Sequence, residues 1–140
     1  MKTILAFILA TLSAFSSSAF AESLCTAENT TFGAHLATYH FDRKAGYNET
    51  NPGLYARFCG GFTAGVYKNS YKDTSFYAGY TVSVGPVDVT MGAITGYPRG
   101  TIPMIVPSIR LPFAGARLAF LAPIPGVKDS AGGIHLMVDF

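Results

Sequence analysis

Charge is what this sequence has least of. Asp, Glu, Lys and Arg make up 13% of its 140 residues, about half the usual ~25%. A water-soluble domain of this size needs more charge to cover its surface. Long apolar runs are scarce too. Beyond the N-terminal segment no stretch approaches the ~20 residues of a spanning helix. Basic clusters interleaved with aromatics are absent and the net charge is only +2, which argues against a nucleic-acid partner. Cysteine occurs twice, as Cys25 and Cys59, without a C-x-x-C redox motif. His35 and His40 are five apart and fall on opposite faces of a regular strand. His135 meets them only if the first and last strands pair, and two ligands make a poor site. Neither a metal nor another cofactor is expected.

What is present is dispersed hydrophobicity, 49% of residues. The N-terminus reads as an export signal: Lys2, an apolar run from Ile4 to Ala14, serines, then Ala19-Phe20-Ala21. The run is too short to anchor the chain by a helix. Residues 1–21 are expected to be removed, leaving 22–140 as one exported domain. Glycine and proline are scattered, with no linker or repeat.

From there the pattern alternates with period two, the signature of half-buried strands. The C-terminus is clearest: Ile134, Leu136, Val138 and Phe140 alternate with His135, Met137 and Asp139. A final strand with apolar alternate positions, ending in Phe, resembles the closing strand of outer-membrane barrels. Seven more strands are predicted: Thr31–Phe41, Leu54–Cys59, Phe62–Asn69, Ser75–Val84, Val87–Tyr97, Met104–Leu111 and Ala116–Ala122. Pro107 weakens the sixth. Eight is the smallest usual size of a transmembrane barrel. The expected fold is an all-β, eight-stranded, antiparallel up-and-down transmembrane barrel.

Connection lengths alternate. Gly60-Gly61, Gly85-Pro86 and Pro112–Gly115 are short; Asp42–Pro52, Ser70–Thr74, Pro98–Pro103 and Pro123–Ala131 are longer. Outer-membrane barrels put short turns in the periplasm and long loops outside. Both termini are therefore expected in the periplasm, with Cys25 and Cys59 near that rim. A Cys25–Cys59 disulfide suits an oxidising compartment; two free thiols are the alternative. Inward-facing Arg57, Arg110, Arg117, Asp88 and Asp139, with His135, are expected to pair inside a narrow lumen.

Polar residues gather where the long loops meet: Tyr39 to Gly53, Lys68 to Tyr71, and Gly96 to Gly100. As a binding crown, Arg43, Tyr47, Asn48, Asn69, Tyr97 and Arg99 are the candidate contacts, with Asn51-Pro52-Gly53 as a turn. A hydrolytic site is the sharper reading. His40 and Asp42 are two apart and share a face on a strand. A histidine oriented by a carboxylate is the general-base half of a triad. Ser70 or Ser75 would supply the nucleophile, and Glu49 is a second candidate carboxylate.

His40-Phe41-Asp42-Arg43, then Ala45-Gly46, then Asn51-Pro52-Gly53 is similar to the catalytic region of outer-membrane lipid A deacylases. Those enzymes are eight-stranded barrels with H-x-S-N-x-G on one strand, an N-P/D-G turn and a later Glu. The histidine and the turn match. Asp42 stands where the family has its serine, and no Glu follows on the next strand. The resemblance covers about 15 residues. It implies a barrel and, for an active protein, an acyl hydrolase of lipid A. The Y-N-E-x-N-P-G and Y-x-N-S pieces also resemble small outer-membrane or phage-associated proteins.

The sequence thus supports a monomeric outer-membrane barrel of a Gram-negative bacterium. Its crown would meet lipopolysaccharide, another outer-membrane lipid, or an extracellular or phage partner. The competing classes are a lipid A ester hydrolase with His40 as base, and a soluble periplasmic β-sandwich.

Overall fold

The computed structural model describes residues 29–127 and 130–140. Within them the chain forms eight strands: β1 Thr31–His40, β2 Thr50–Arg57, β3 Phe62–Lys68, β4 Thr74–Val84, β5 Val87–Tyr97, β6 Gly100–Arg110, β7 Ala116–Leu121 and β8 Gly133–Asp139. Each pairs antiparallel with the next, and β1 pairs with β8, so the sheet closes into an up-and-down barrel. Closure satisfies the strand edges that an open sheet would leave bare. The four connections β1–β2, β3–β4, β5–β6 and β7–β8 lie at one end, here the upper end. The start of β1, the end of β8 and the other turns lie at the lower end. The expected signal segment 1–21 and Cys25 lie outside the described residues, and so does the proposed Cys25–Cys59 pairing. Cys59 opens the 3-10 turn Cys59–Gly61 at the lower end.

The alternation places side chains as expected, and the result is an inside-out distribution. Leu54, Phe62, Phe76, Tyr80, Val82 and Ile105 are exposed. The adjacent Tyr55, Thr63, Tyr77 and Thr81, and Ser108 further along β6, are buried in the lumen. Buried polar groups and exposed large apolar ones are the informative exceptions to ordinary burial, and here they are the rule.

The lower lumen is plugged by the five predicted charges. Asp88, wholly buried, faces Arg57 at 3.2 Å, Arg110 at 3.8 Å and Arg117. Arg117 also bonds Asp139 at 2.6 Å, and the Tyr55 hydroxyl donates to Asp139. Above the plug, His35 Nδ1 lies 2.8 Å from His135 Nε2, and His35 Nε2 lies 3.0 Å from the Tyr77 hydroxyl. His135 Nδ1 lies 2.7 Å from Thr38 Oγ1. Pairing of the first and last strands thus joins the two histidines.

Four expectations need correction. The first concerns β1. Both of its ladders shift register between His35 and Ala37, and Leu36 and Ala37 both face outward. This bulge resets the alternation, so His35, Thr38 and His40 are all buried. His35 and His40 therefore share the lumen face instead of lying on opposite faces. Second, β1 ends at His40, so Asp42 is not its neighbour along a strand face.

Third, β2 begins at Thr50, not Leu54. Asn51-Pro52-Gly53 is strand, not turn. The β1–β2 register passes from Gly53 directly to Thr50, so Pro52 sits at an irregularity where no ladder donor is required. Buried Asn51 ties this stretch to β3 by donating to Lys68 O at 2.8 Å. Fourth, β6 starts at Gly100, and Tyr97 pairs with Gly100. The Pro98–Pro103 connection is thus a tight two-residue turn, with Gly96 and Gly100 at φ of 81° and 80°. Pro103 and Pro107 of β6 turn their missing donors away from the continuous ladder with β5.

Candidate functional site at the upper mouth

The bulge in β1 aims His40 inward at the top of the lumen. Bulges commonly re-aim a side chain beside a site. There His40 Nε2 meets Ser70 Oγ at 2.7 Å. Ser70 follows β3, in a loop organised by Asn69. The wholly buried Asn69 side chain donates to Gly96 O at 2.6 Å and to Ser75 Oγ at 3.0 Å. Its Oδ1 accepts from Tyr71 N at 2.9 Å and Asp73 N at 3.0 Å. This is an Asx-type turn, and it fixes where Ser70 stands.

The β1–β2 loop is stitched to the same place. Asn48 N donates to Ser70 O at 2.9 Å, and the Asn48 side chain donates to Thr50 O at 2.6 Å and Asn69 O at 3.2 Å. Tyr47 stacks on the His40 ring, centroids 4.7 Å apart. Tyr71 stands edge-on to Tyr47 and to Tyr97, and the Tyr97 and Tyr67 hydroxyls lie 3.0 Å apart. Burial and the Tyr47 hydroxyl push the Tyr71 phenol up to about 12, so it is a neutral donor at ordinary pH.

Of the residues named from sequence, the structure brings His40 and Ser70 together and packs Tyr47 onto them. Asp42 goes elsewhere: its carboxylate caps the 3-10 turn Arg43–Ala45, accepting from Lys44 N at 3.0 Å. Glu49 pairs with Arg43 at 3.2 Å on the exposed crown, and Arg43 lies over the Tyr39 ring at 5.3 Å. Ser75 is committed to Thr95 O at 2.7 Å and is no free nucleophile. Asn48 and Asn69 are structural ties, so the crown contacts expected of them are taken up by backbone. Arg99 donates to Pro125 O at 2.8 Å, joining the β5–β6 turn to the β7–β8 loop.

His40 Nδ1 is buried and has no partner. The arrangement is a dyad held by ring stacking, not a triad held by a carboxylate. No group of His, Cys, Asp or Glu among the described residues has the makings of a metal site.

Two hollows meet at Ser70. A polar recess of about 500 Å³ in the crown is lined by Asp42, Lys44, Tyr47, Ser70, Tyr71 and Lys72. An apolar cavity of about 710 Å³ runs from His40, Tyr47, Ser70 and Tyr71 down past Ile94, Ile102, Met104 and Leu121. That size is ordinary for a small-molecule site. Tyr47, Ser70 and Tyr71 wall both. Lys72, which carries a positive φ of 67°, and the apolar lining from β6 gave no functional signal in the sequence. A lysine in a short loop and an alternating strand are both commonplace.

Comparison with protein-family models finds no match. Comparison with curated proteins finds none either. A serine does reach the histidine, from the β3–β4 loop and not from two positions along β1.

Proposed function

We propose that this protein is a small outer-membrane barrel that binds an outer-leaflet lipid, of lipopolysaccharide type, at its upper mouth. The inside-out surface supports the membrane setting. Outward apolar side chains ring a barrel whose longest strands have 11 residues, and 9–11 residues cross a bilayer when tilted. Phe32, Phe58, Phe62 and Phe113 toward the lower end and Tyr39, Phe41 and Phe76 toward the upper are exposed, as interfacial aromatic girdles are. The observation that carries the lipid reading is the shared wall. A polar recess that carries Lys44 and Lys72 against one carboxylate, Asp42, meets an apolar cavity at Tyr47, Ser70 and Tyr71. An amphiphile with an anionic headgroup beside Lys44 and Lys72 and a chain in the cavity fits both.

The His40–Ser70 contact favours a second reading, ester hydrolysis of that lipid. Headgroup and chain would join near Ser70. Ser70 Oγ would attack the ester carbonyl while His40 Nε2 takes its proton, then return that proton to the departing alkoxide. Water would later cleave the acyl-serine. Nδ1 would need to carry the other ring proton, and no acceptor orients it. This is the difference from a complete triad.

One experiment separates the two readings. The chain is expressed in a Gram-negative host and outer-membrane lipid A is weighed by mass spectrometry. Hydrolysis predicts lipid A lighter by one acyl chain, with the loss abolished in both Ser70→Ala and His40→Ala. Binding alone predicts unchanged mass and lipid that co-purifies with the barrel, reduced by Lys44→Glu with Lys72→Glu. Recovery of a folded protein in plain buffer without detergent refutes both.

A further inference from the structure

The barrel is closed by strand order, yet its wall is not evenly stitched. The β5–β6 ladder runs from Val87↔Ile109 to Ile94↔Ile102 without a break. On the other side of β6, pairing with β7 covers only Ser108↔Ala119, Ile109↔Leu118 and Arg110↔Arg117. Above Ser108 no residue of β6 pairs with β7, although β7 runs on to Leu121; by the register of the paired residues, only Gly100–Ile105 has no β7 residue opposite it on that edge. β7 stops at Leu121, and the chain continues through Pro123 and Pro125. The opening is bounded below by the Ser108↔Ala119 pair and above by the bond from Arg99 to Pro125 O.

The prolines of β6 show which edge is open by construction. Arg110 N donates to Pro86 O on the β5 side, and Leu111 N donates to Ala116 O on the β7 side. Strand alternation then turns the odd-numbered residues of β6 toward β7. Pro103 and Pro107 are odd-numbered. At Pro107 the missing donor ends the ladder with β7, and at Pro103, beyond the end of β7, a donor that would have been stranded does not exist. An unsatisfied backbone donor in hydrocarbon is costly, and irregular backbone at membrane depth is tolerated where it lines a cavity. The same absence weakens strand addition: a peptide or a second copy pairing at this edge finds donors only at Thr101 and Ile105.

The slot leads from the apolar outer belt to the apolar cavity. Ile105 and Phe120 are exposed beside it, while Ile102, Met104, Val106 and Leu121 line the cavity behind it. Lipid hydrocarbon is the medium that would meet this face.

The geometry points to a lateral entry: an acyl chain of a neighbouring bilayer lipid passes between upper β6 and the segment after β7 into the cavity beneath His40 and Ser70. This rests on the outer-membrane reading and adds the route and the ligand class. Ile102, Met104 and Val106 would hold the chain by contact alone, with the headgroup left at the crown.

The test uses the folded full-length barrel, as exported, in phosphatidylglycerol bilayers containing a trace of phosphatidylglycerol with a diazirine on one acyl chain. After photolysis, cross-linked peptides are mapped by mass spectrometry. Lateral entry predicts adducts on inward Met104 and Val106 as well as on outward Ile105 and Phe120. Val106→Trp should remove the inward adducts and leave the outward ones. Met104→Phe, a smaller filling change, should reduce them if the tryptophan variant does not fold. Adducts confined to outward residues overturn the proposal while leaving the membrane reading intact. No adducts at all, with the protein outside the bilayer, overturn both.

Discussion

Replacing Asp88 by alanine should cost this barrel much of its stability, and the structure sets the size of the loss. Asp88 is wholly buried and is shared by Arg57, Arg110 and Arg117. Without it, Arg57 has no carboxylate within ion-pair range among the described residues, and Arg117 keeps only Asp139. Arg110, whose side chain is 46% exposed, can hydrate, and its pair is worth ~0–1 kcal/mol at most. Arg117, at 1%, cannot. An uncompensated buried charge costs about 3–5 kcal/mol. Arg57, 16% exposed, gains some water, which puts the loss near the lower bound. About 3 kcal/mol is roughly a hundredfold in the folded fraction at 1.4 kcal/mol per decade. With urea slopes of ~1–3 kcal/mol per molar, the midpoint falls by ~1–3 M. The assay is urea unfolding in detergent micelles, followed by circular dichroism and by gel mobility of the unheated barrel. A cycle with Arg117→Met sharpens it. Removing both members of the closest pair should cost less than the two single losses added together, by more than the ~0.5 kcal/mol of ordinary additivity error. A loss below about 0.5 kcal/mol for Asp88→Ala, or simple addition in the cycle, would refute the account of the plug as a coupled network.

Three further outcomes follow from the geometry. In Gly65→Ala the new methyl would lie 2.6 Å from Tyr77 Cε1, so the ring must move and loosen its 3.0 Å contact with His35. The expected cost is about 1–3 kcal/mol, read as a lower urea midpoint, with Gly85→Ala as a control where a methyl meets nothing and only backbone strain is at issue. Asn69→Ala removes the acceptor of Tyr71 N and Asp73 N and the donor to Gly96 O; the β3–β4 loop should become cleavable by protease while the barrel still migrates as folded, and unchanged resistance would sink the assignment. Tyr71, labelled at its ring and assigned by Tyr71→Phe, should titrate by NMR near 12. Because its folded value is raised, the neutral phenol favours the folded crown. That contribution is present below the ordinary value of about 10 and fades as pH rises toward 12; a midpoint near 10 would show that the Tyr47–Tyr71 packing is absent.

The candidate site was legible only in pieces. His40 and Ser70 stood out as a base and a nucleophile of the right kinds, but nothing local joined residues 30 positions apart. The feature that joins them is the bulge between His35 and Ala37, and a bulge is a property of paired strands. Strict alternation put His35 and His40 on opposite faces for that reason. On a continuous strand H-x-D makes Asp42 the orienting carboxylate; the turn after His40 uses that carboxylate as a cap instead. The asparagines at 48 and 69 looked like crown contacts because polar loop residues often are. Their partners, Ser70, Thr50 and Gly96, belong to other loops and strands.

By itself, the sequence determined which side chains face the lumen and which face outward along most strands, and therefore the barrel and its internal charges. That information is carried by nearest neighbours, since a strand turns its side chains over at every step. Register, closure and the gap beside β6 were decided only by the tertiary structure. They depend on which backbone groups of distant segments find partners, and a chain read one residue at a time does not record those pairings. Pro103 and Pro107 show the division. In sequence they weaken a strand; in the barrel their missing donors lie on the edge of β6 where pairing with β7 stops.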